Sequence, residues 1–187
     1  AYEFADATTY ISIPYTIFNG LTNVSVFTWV KTSEASPDDY IFTNASSSVS
    51  NEFGLGLTTS GTKLSLLNKG TSYASSTFTA INDGEWHLVG VVRDVSNEVA
   101  NFYVDGNLVS SSSITGKTSA LVVGNGGSII GQEQDSVGGG FTNKQAWVGS
   151  IDDVLIYDKA LSADEVKTLY DLSKNKVIYP IVKGWRD

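Results

Sequence analysis

Short apolar stretches recur along the chain, separated by turn residues, and several of them alternate apolar with polar side chains. In Val99 to Val104, Phe102 and Val104 fall on one face of an extended segment, because successive side chains of a strand point to opposite sides. Asp105-Gly106-Asn107 follows, then Leu108-Val109. Asp-Gly supplies the positive φ that a tight hairpin needs, so these residues predict two antiparallel strands joined by a short turn. Val26 to Val30, Leu64 to Leu67, Glu85 to Val92 and Val154 to Tyr157 predict further strands. Turn signals at Asn19-Gly20, Ser60-Gly61, Asn68-Lys69-Gly70 and Asn82-Asp83-Gly84 have the spacing of a sandwich of two antiparallel sheets, rather than of strands alternating with helices. Ser46 to Ser48 and Ser110 to Ser113 are expected in loops or at strand ends.

One segment departs from this pattern. Ser162-Ala163-Asp164-Glu165 is a capping box, with Ser162 as N-cap and Glu165 three residues on, and Leu161 and Val166 occupy the flanking staple positions. Leu169 and Tyr170 extend the apolar face, which predicts a short helix ending near Leu172. This gives a domain over residues 1–173 and a tail over 174–187. The tail carries Val177 to Val182, and Pro180 within it permits only an edge strand or a linker.

Composition narrows the function. A chain of 187 residues with 41% hydrophobic side chains, four Trp, nine Tyr and eight Phe can bury one large β core. Twelve basic against twenty acidic residues give a net charge of −8, which opposes nucleic acid and anionic membrane and favours a cationic partner. No apolar run has the length of a membrane span, and no signal peptide is evident. The chain has no methionine and begins almost on its first predicted strand, so the expectation is a module cut from a larger, multidomain protein. With no cysteine it offers neither a disulfide nor a thiolate ligand.

The richest chemistry lies in Gly131-Gln132-Glu133-Gln134-Asp135-Ser136-Val137-Gly138-Gly139-Gly140-Phe141, with Gln145 beyond it. Calcium takes six to eight oxygen ligands, and two carboxylates with amide and backbone carbonyl oxygens on a glycine-rich turn suit it. This segment resembles the calcium loop of the pentraxins, within the laminin-G-like and concanavalin-A-like group of domains. Tyr2-Glu3-Phe4 with Tyr10 to Pro14 resembles the opening strand pair of such modules, Val26 to Val30 the next strand, and Asp83-Gly84-Glu85-Trp86-His87 to Val92 the stretch before the central hairpin. The resemblance covers residues 2 to 172. It implies an all-β, two-sheet antiparallel jelly-roll sandwich with one short helix near the C-terminus.

The resemblance also implies a ligand set. In pentraxins one ion takes residues that correspond here to Ser50, Asn51, Glu133, the backbone carbonyl of Gln134, and Asp135. A second ion shares Glu133 and Asp135 and adds the positions of Thr142 and Gln145. Ser50 and Thr142 stand where the family has acids. Each departure removes a negative ligand, so one strong Ca2+ ion is expected at Asn51, Glu133, Gln134, Asp135 and Gln145. Pentraxins also carry a disulfide between the strands occupied here by Phe27 and Val89, which packing must replace.

Other chemistries find less support. His87 is the single histidine, so a zinc site or a serine triad lacks partners, and a core or strand-edge role is expected. Glucanases of this fold set acidic residues at alternating positions of one strand. Glu133-Gln134-Asp135 begins that pattern, but Val137 interrupts it, and Asp152-Asp153, being adjacent, would face opposite sides of a strand. Asn23-Val24-Ser25 and Asn44-Ala45-Ser46 match the glycosylation pattern, to which no function is attached. The expected function is a non-enzymatic, calcium-binding, lectin-like recognition or adhesion module, extracellular or at the cell surface, that binds glycan or phosphate-ester ligands. A spacer with a merely stabilising ion and a glycoside hydrolase are the alternatives.

Overall fold

The computed structural model describes residues 1–5, 8–34, 38–49, 52–58, 62–75, 81–141 and 145–177. In chain order the strands are β1 (Tyr2–Phe4), β2 (Ile11–Ser12), β3 (Val24–Lys31), β4 (Asp38–Asn44), β5 (Phe53–Thr58), β6 (Lys63–Asn68), β7 (Thr71–Ala74), β8 (Trp86–Asp94), β9 (Val99–Val104), β10 (Asn107–Ser113), β11 (Ser128–Ile130) and β12 (Gly149–Tyr157), followed by α1 (Ala163–Val177). They form two six-stranded antiparallel sheets, β1-β12-β3-β8-β9-β10 and β2-β11-β4-β5-β6-β7. The two opening strands do not pair with each other. β1 pairs with β12 and β2 with β11, so the first residues lace one sheet to the other.

The space between the sheets is filled by alternate side chains, among them Val24, Val26 and Val30 of β3, Val89 and Val91 of β8, and Leu55 and Leu57 of β5. Phe18, Phe42 and Phe53 meet in one aromatic cluster, with ring centroids 5.7 to 6.1 Å apart. The opposite side chains of β3 and β8 are also buried, because α1 packs over that face. Phe27, Trp29, Leu88 and Tyr103 form a second core with Leu161 and Val166, and Trp29 stacks on Tyr170 at 5.7 Å. Covering both faces explains why β3 reads as a nearly unbroken apolar run. Phe27 sits opposite Gly90, where any Cβ would overlap its ring. This ring-on-glycine contact spans the β3–β8 pair where the resemblance places a disulfide.

The helix begins as expected: the Glu165 N–H donates to Ser162 Oγ (3.2 Å), and the Ser162 N–H donates to Glu165 Oε2 (2.9 Å). It ends five residues later than Leu172. Asp171 pairs with Lys167 at 2.6 Å and Lys174 at 2.7 Å, so side-chain pairs rather than apolar periodicity carry the last turns. The helix therefore crosses the domain boundary at 173/174 drawn from sequence. Residues 178–187 lie outside the described residues.

Three further details fill in the sequence reading. Ser110 to Ser113 are strand residues of β10, whose register with β9 shifts at a bulge between Leu108 and Ser110. β12 does not alternate regularly through Asp152-Asp153, because Asp153 is left-handed (φ 45°) and the register with β3 shifts between Asp152 and Leu155. The Thr28 hydroxyl donates to the Asp152 carbonyl at 2.9 Å and so serves the backbone at that irregularity. Asn44 of the second glycosylation pattern is fully buried, with Oδ1 accepting from Ser128 Oγ at 2.6 Å.

His87 is a strand-edge clamp. Its Nδ1 lies 2.8 Å from Asp105 Oδ2 and its Nε2 3.2 Å from Asp83 Oδ1, while Asp105 Oδ1 accepts the Leu88 N–H at 3.0 Å. The hydrogen bond to Asp105 raises the imidazole above its usual range, with Asp83 adding to the effect. A base raised on folding stabilises the fold below its unfolded pKa of 6.5, and loses that contribution as pH rises through the folded value. Urea denaturation of wild type and His87→Asn is expected to give a stability difference about 1 kcal/mol larger at pH 5.5 than at pH 9. A difference independent of pH would contradict a charged clamp.

Candidate metal centre

The loop leaves β11 at Gly131, whose φ of +88° only glycine adopts without strain. Its N–H donates to the Ile41 carbonyl at 2.7 Å, and its carbonyl accepts the Trp147 N–H at 3.0 Å. A Cβ here would overlap the ring of Phe4, a fully buried side chain, so the backbone lies directly against that ring. The chain then needs internal support, because it pairs with no strand.

Two glutamines supply it. Gln132 Oε1 accepts the Glu133 N–H at 3.0 Å, and the Gln132 carbonyl accepts the Thr43 hydroxyl at 2.9 Å. Gln134 is fully buried, with Nε2 donating to the carbonyls of Thr43 (3.1 Å) and Gly127 (3.0 Å) and to Thr43 Oγ1 (3.3 Å), while Oε1 accepts the Gly138 N–H at 2.9 Å. The amide of Gln134 is thus committed to bracing, which leaves its backbone carbonyl as the group the resemblance assigns to an ion. Ser136 and Gly139 exchange backbone hydrogen bonds of 3.0 and 3.1 Å, closing a turn over Val137-Gly138. Gly140 (φ 76°) packs so close to Asp135 that a Cβ would lie 2.7 Å from the Asp135 Cβ.

Between these braces stands Glu133. Its side chain is 2% exposed, and Oε2 is buried with no hydrogen-bond partner among the described residues. Burial, then the neighbouring Asp135 charge, pushes its carboxyl up from 4.5 to about 7, against a hydrogen bond from the Gln134 backbone. Burying an unpaired carboxylate costs several kcal/mol unless a cation or donors compensate it. The orphaned oxygen and the adjacent Asp135 carboxylate are donors of the kind a hard cation such as calcium takes. Asp135 itself is exposed and lines an open recess of ≈ 540 Å³ with Ser136, Val137 and the Ser46–Val49 turn.

Four of the five expected ligands lie within the described residues. Glu133, Gln134 and Asp135 are consecutive on the braced loop, and Gln145 is held beside β4, where its carbonyl accepts the Tyr40 N–H at 3.1 Å. Asn51, Ser50 and Thr142 lie outside the described residues. Glu52, next to Asn51, is fixed by its N–H to the Asn44 carbonyl at 2.9 Å. Among the described residues no group of three or more His, Cys, Asp or Glu side chains gathers to hold a metal. Thr43 and Tyr40 neighbour the loop, and sequence reasoning passed over both. Thr43 carries the loop, and the Tyr40 hydroxyl, raised by burial against a hydrogen bond with Ser65, also feels the charges of Asp38 and Glu133. Only their long-range position on β4 reveals them.

Comparison with known proteins places the chain. A model of the family described as Laminin_G_3, Concanavalin A-like lectin/glucanases superfamily, matches residues 5–167. Rat "Sushi, von Willebrand factor type A, EGF and pentraxin domain-containing protein 1" is 33% identical over 109 residues, which are 58% of this chain and only 3% of that protein. The native heptameric SAP-like pentraxin of Limulus polyphemus superposes with a TM-score of 0.72 at 24% identity, over 90% of this chain and 80% of that one. The CBM40 of the Ruminococcus gnavus IT-sialidase, bound to α2,3 sialyllactose, superposes with a TM-score of 0.68 at 16% identity, over 90% and 95% of the two chains. The chain therefore belongs to the concanavalin A-like lectin/glucanases superfamily, in its Laminin_G_3 family, with pentraxin domains among its relatives.

Proposed function

We propose that this chain is a calcium-dependent, non-enzymatic recognition module of a larger extracellular protein, which binds glycan or phosphate-ester ligands through an ion at the Glu133–Asp135 loop. Glu133 and Asp135 would supply the charge, with the Gln134 carbonyl, Gln145 and Asn51 as neutral oxygen ligands. When bound, calcium supplies a positive centre that accepts further oxygens from a ligand. The observation that carries the reading is the buried Glu133 carboxylate with its unpartnered oxygen.

Recognition is favoured over a spacer role because Gln134 already ties the loop to Thr43, Gly127 and Gly138, so the turn is braced without an ion. Catalysis is disfavoured because Glu133 to Asp135 lie on irregular backbone, not on a strand that would set two carboxyls at a fixed alternating spacing. The sialyllactose carried by a similarly folded module is consistent with a sugar ligand.

Calorimetry tests the metal. Asp135→Asn is expected to weaken calcium at least tenfold, about 1.4 kcal/mol. An ion that binds only the folded loop also adds about 2.7 kcal/mol at a hundredfold excess over Kd, which raises Tm by roughly 5–10 °C for a domain of this size. Equal melting in EDTA and in millimolar calcium, with magnesium as control, would refute the site. A glycan array read with and without EDTA then separates recognition from a spacer.

A further inference from the structure

Beyond the Ser46–Val49 turn lies a second recess, of ≈ 320 Å³, into which Lys69, Lys117, Glu52, Ser48 and Ser119 project with the backbone of Gly116. Its charge runs against that of the chain. Three of the twelve basic side chains lie at or behind it: Lys69, 14% exposed, and Lys117 line the recess, and Arg93, fully buried, bonds from behind to the carbonyls of Lys117 and Ser119. Arg93 spends its donors on neutral groups, namely the carbonyls of Thr22, Lys117 (2.8 Å) and Ser119 (2.9 Å) and the Asn68 Oδ1 (2.9 Å). Lys69 takes the one carboxylate, Glu52 Oε1 at 2.5 Å, together with the Ala120 carbonyl at 2.6 Å. That carboxylate also accepts the Val122 N–H at 2.6 Å, and among the described residues no other carboxylate pairs with Lys69, Lys117 or Arg93.

Lys117 is left with a neutral partner. Its Nζ donates to the Lys69 carbonyl at 3.1 Å, and no ion pair forms to it among the described residues. The backbone is strained to build this corner: Lys69 is left-handed (φ 53°) at a turn position that Asn, Asp or Gly fill at lower cost, and Gly70 follows at φ 73°. The hydroxyl-bearing Ser48 and Ser119 are exposed on the rim.

We propose that this recess is a calcium-independent subsite for a sulfate or phosphate monoester carried on a soluble molecule. The Lys117 ammonium supplies a point charge, Arg93 and Lys69 keep the surrounding potential positive, and the rim hydroxyls donate to the remaining oxygens. The net charge of −8 opposes the same group presented by an anionic membrane. The recess shares Ser46, Ser48 and Val49 with the one beside Asp135, so an extended ligand has two places to bind. The subsite does not rest on the calcium reading.

Inorganic sulfate and inorganic phosphate, titrated in EDTA at low ionic strength and followed by the amide shifts of Gly116 and Ser119, test it. Saturable millimolar binding is expected, weakened at least fivefold in Lys117→Gln, retained in Lys117→Arg and unchanged in Lys167→Gln on α1. Amide shifts elsewhere in Lys117→Gln check that the variant is folded. No saturable shift, or binding that Lys117→Gln leaves intact, overturns the subsite. Because EDTA is present throughout, that failure leaves the metal site untouched. Glucose 6-phosphate and a sulfated monosaccharide should compete with sulfate. Lys117-dependent binding to phosphatidic acid vesicles, without such competition, would overturn the soluble carrier.

Discussion

Gly131→Ala is expected to lower stability by about 2–5 kcal/mol and, in the same step, to abolish the calcium binding proposed for the loop. The left-handed backbone at this position (φ +88°) costs an alanine about 1–2 kcal/mol. The added methyl would also overlap the Phe4 ring, which is fully buried and has nowhere to swing, and overpacking of this kind adds about 1–3 kcal/mol. The backbone bonds from Gly131 to Ile41 and Trp147 sit on either side of the strain, so relief of the clash must shift the entry to Glu133. Guanidinium denaturation measures the first effect. A double-mutant cycle with Phe4→Ala identifies its cause, since the alanine should cost less once the ring is gone. A loss below about 1 kcal/mol in the single variant would show that the loop does not depend on this close approach.

Arg93→Met is expected to cost about 3–5 kcal/mol, or roughly 10 °C in Tm. The substitution conserves much of the apolar stem but leaves the carbonyls of Thr22 and Ser119 and the amide oxygen of Asn68 facing a side chain with no donor, while the Lys117 carbonyl keeps only the Asn68 Nδ2–H at 3.2 Å. Leaving a buried acceptor unpaired costs about 1–3 kcal/mol for each group that water cannot reach. The segment around Lys117 to Ser119 is held chiefly by this guanidinium, so limited proteolysis should cut there first in the variant. Wild-type stability with an intact segment would mean that water replaces the guanidinium without loss.

Signals confined to a few neighbouring residues carried the sequence reading furthest. The Asp105-Gly106 turn, the Ser162–Glu165 capping box and the Leu161/Val166 staple each express a local backbone preference, and each stands where expected. The strands that run through the core were also legible, since their apolar content marks them whichever face is covered. What stayed hidden depends on partners distant in sequence. Nothing local tells that β1 and β2 join different sheets, that Asp153 breaks the alternation of β12, or that Thr43 holds a loop some ninety residues away at Gln132 (2.9 Å). At the site, residue types identified the carboxylates. The inward turn of Gln134 and the isolation of Glu133 Oε2 appear only once burial is known.

The borders of the two sheets carry a consequence for behaviour in concentrated solution. β1 has three residues, β2 two and β7 four, while the longer β10 is broken by its bulge and built largely of serine. A growing fibril needs a long, flat, apolar edge on which to add the next strand, and the described borders offer none. The described borders therefore give a second copy, in a tandem array or on a densely coated surface, no template of this kind to extend.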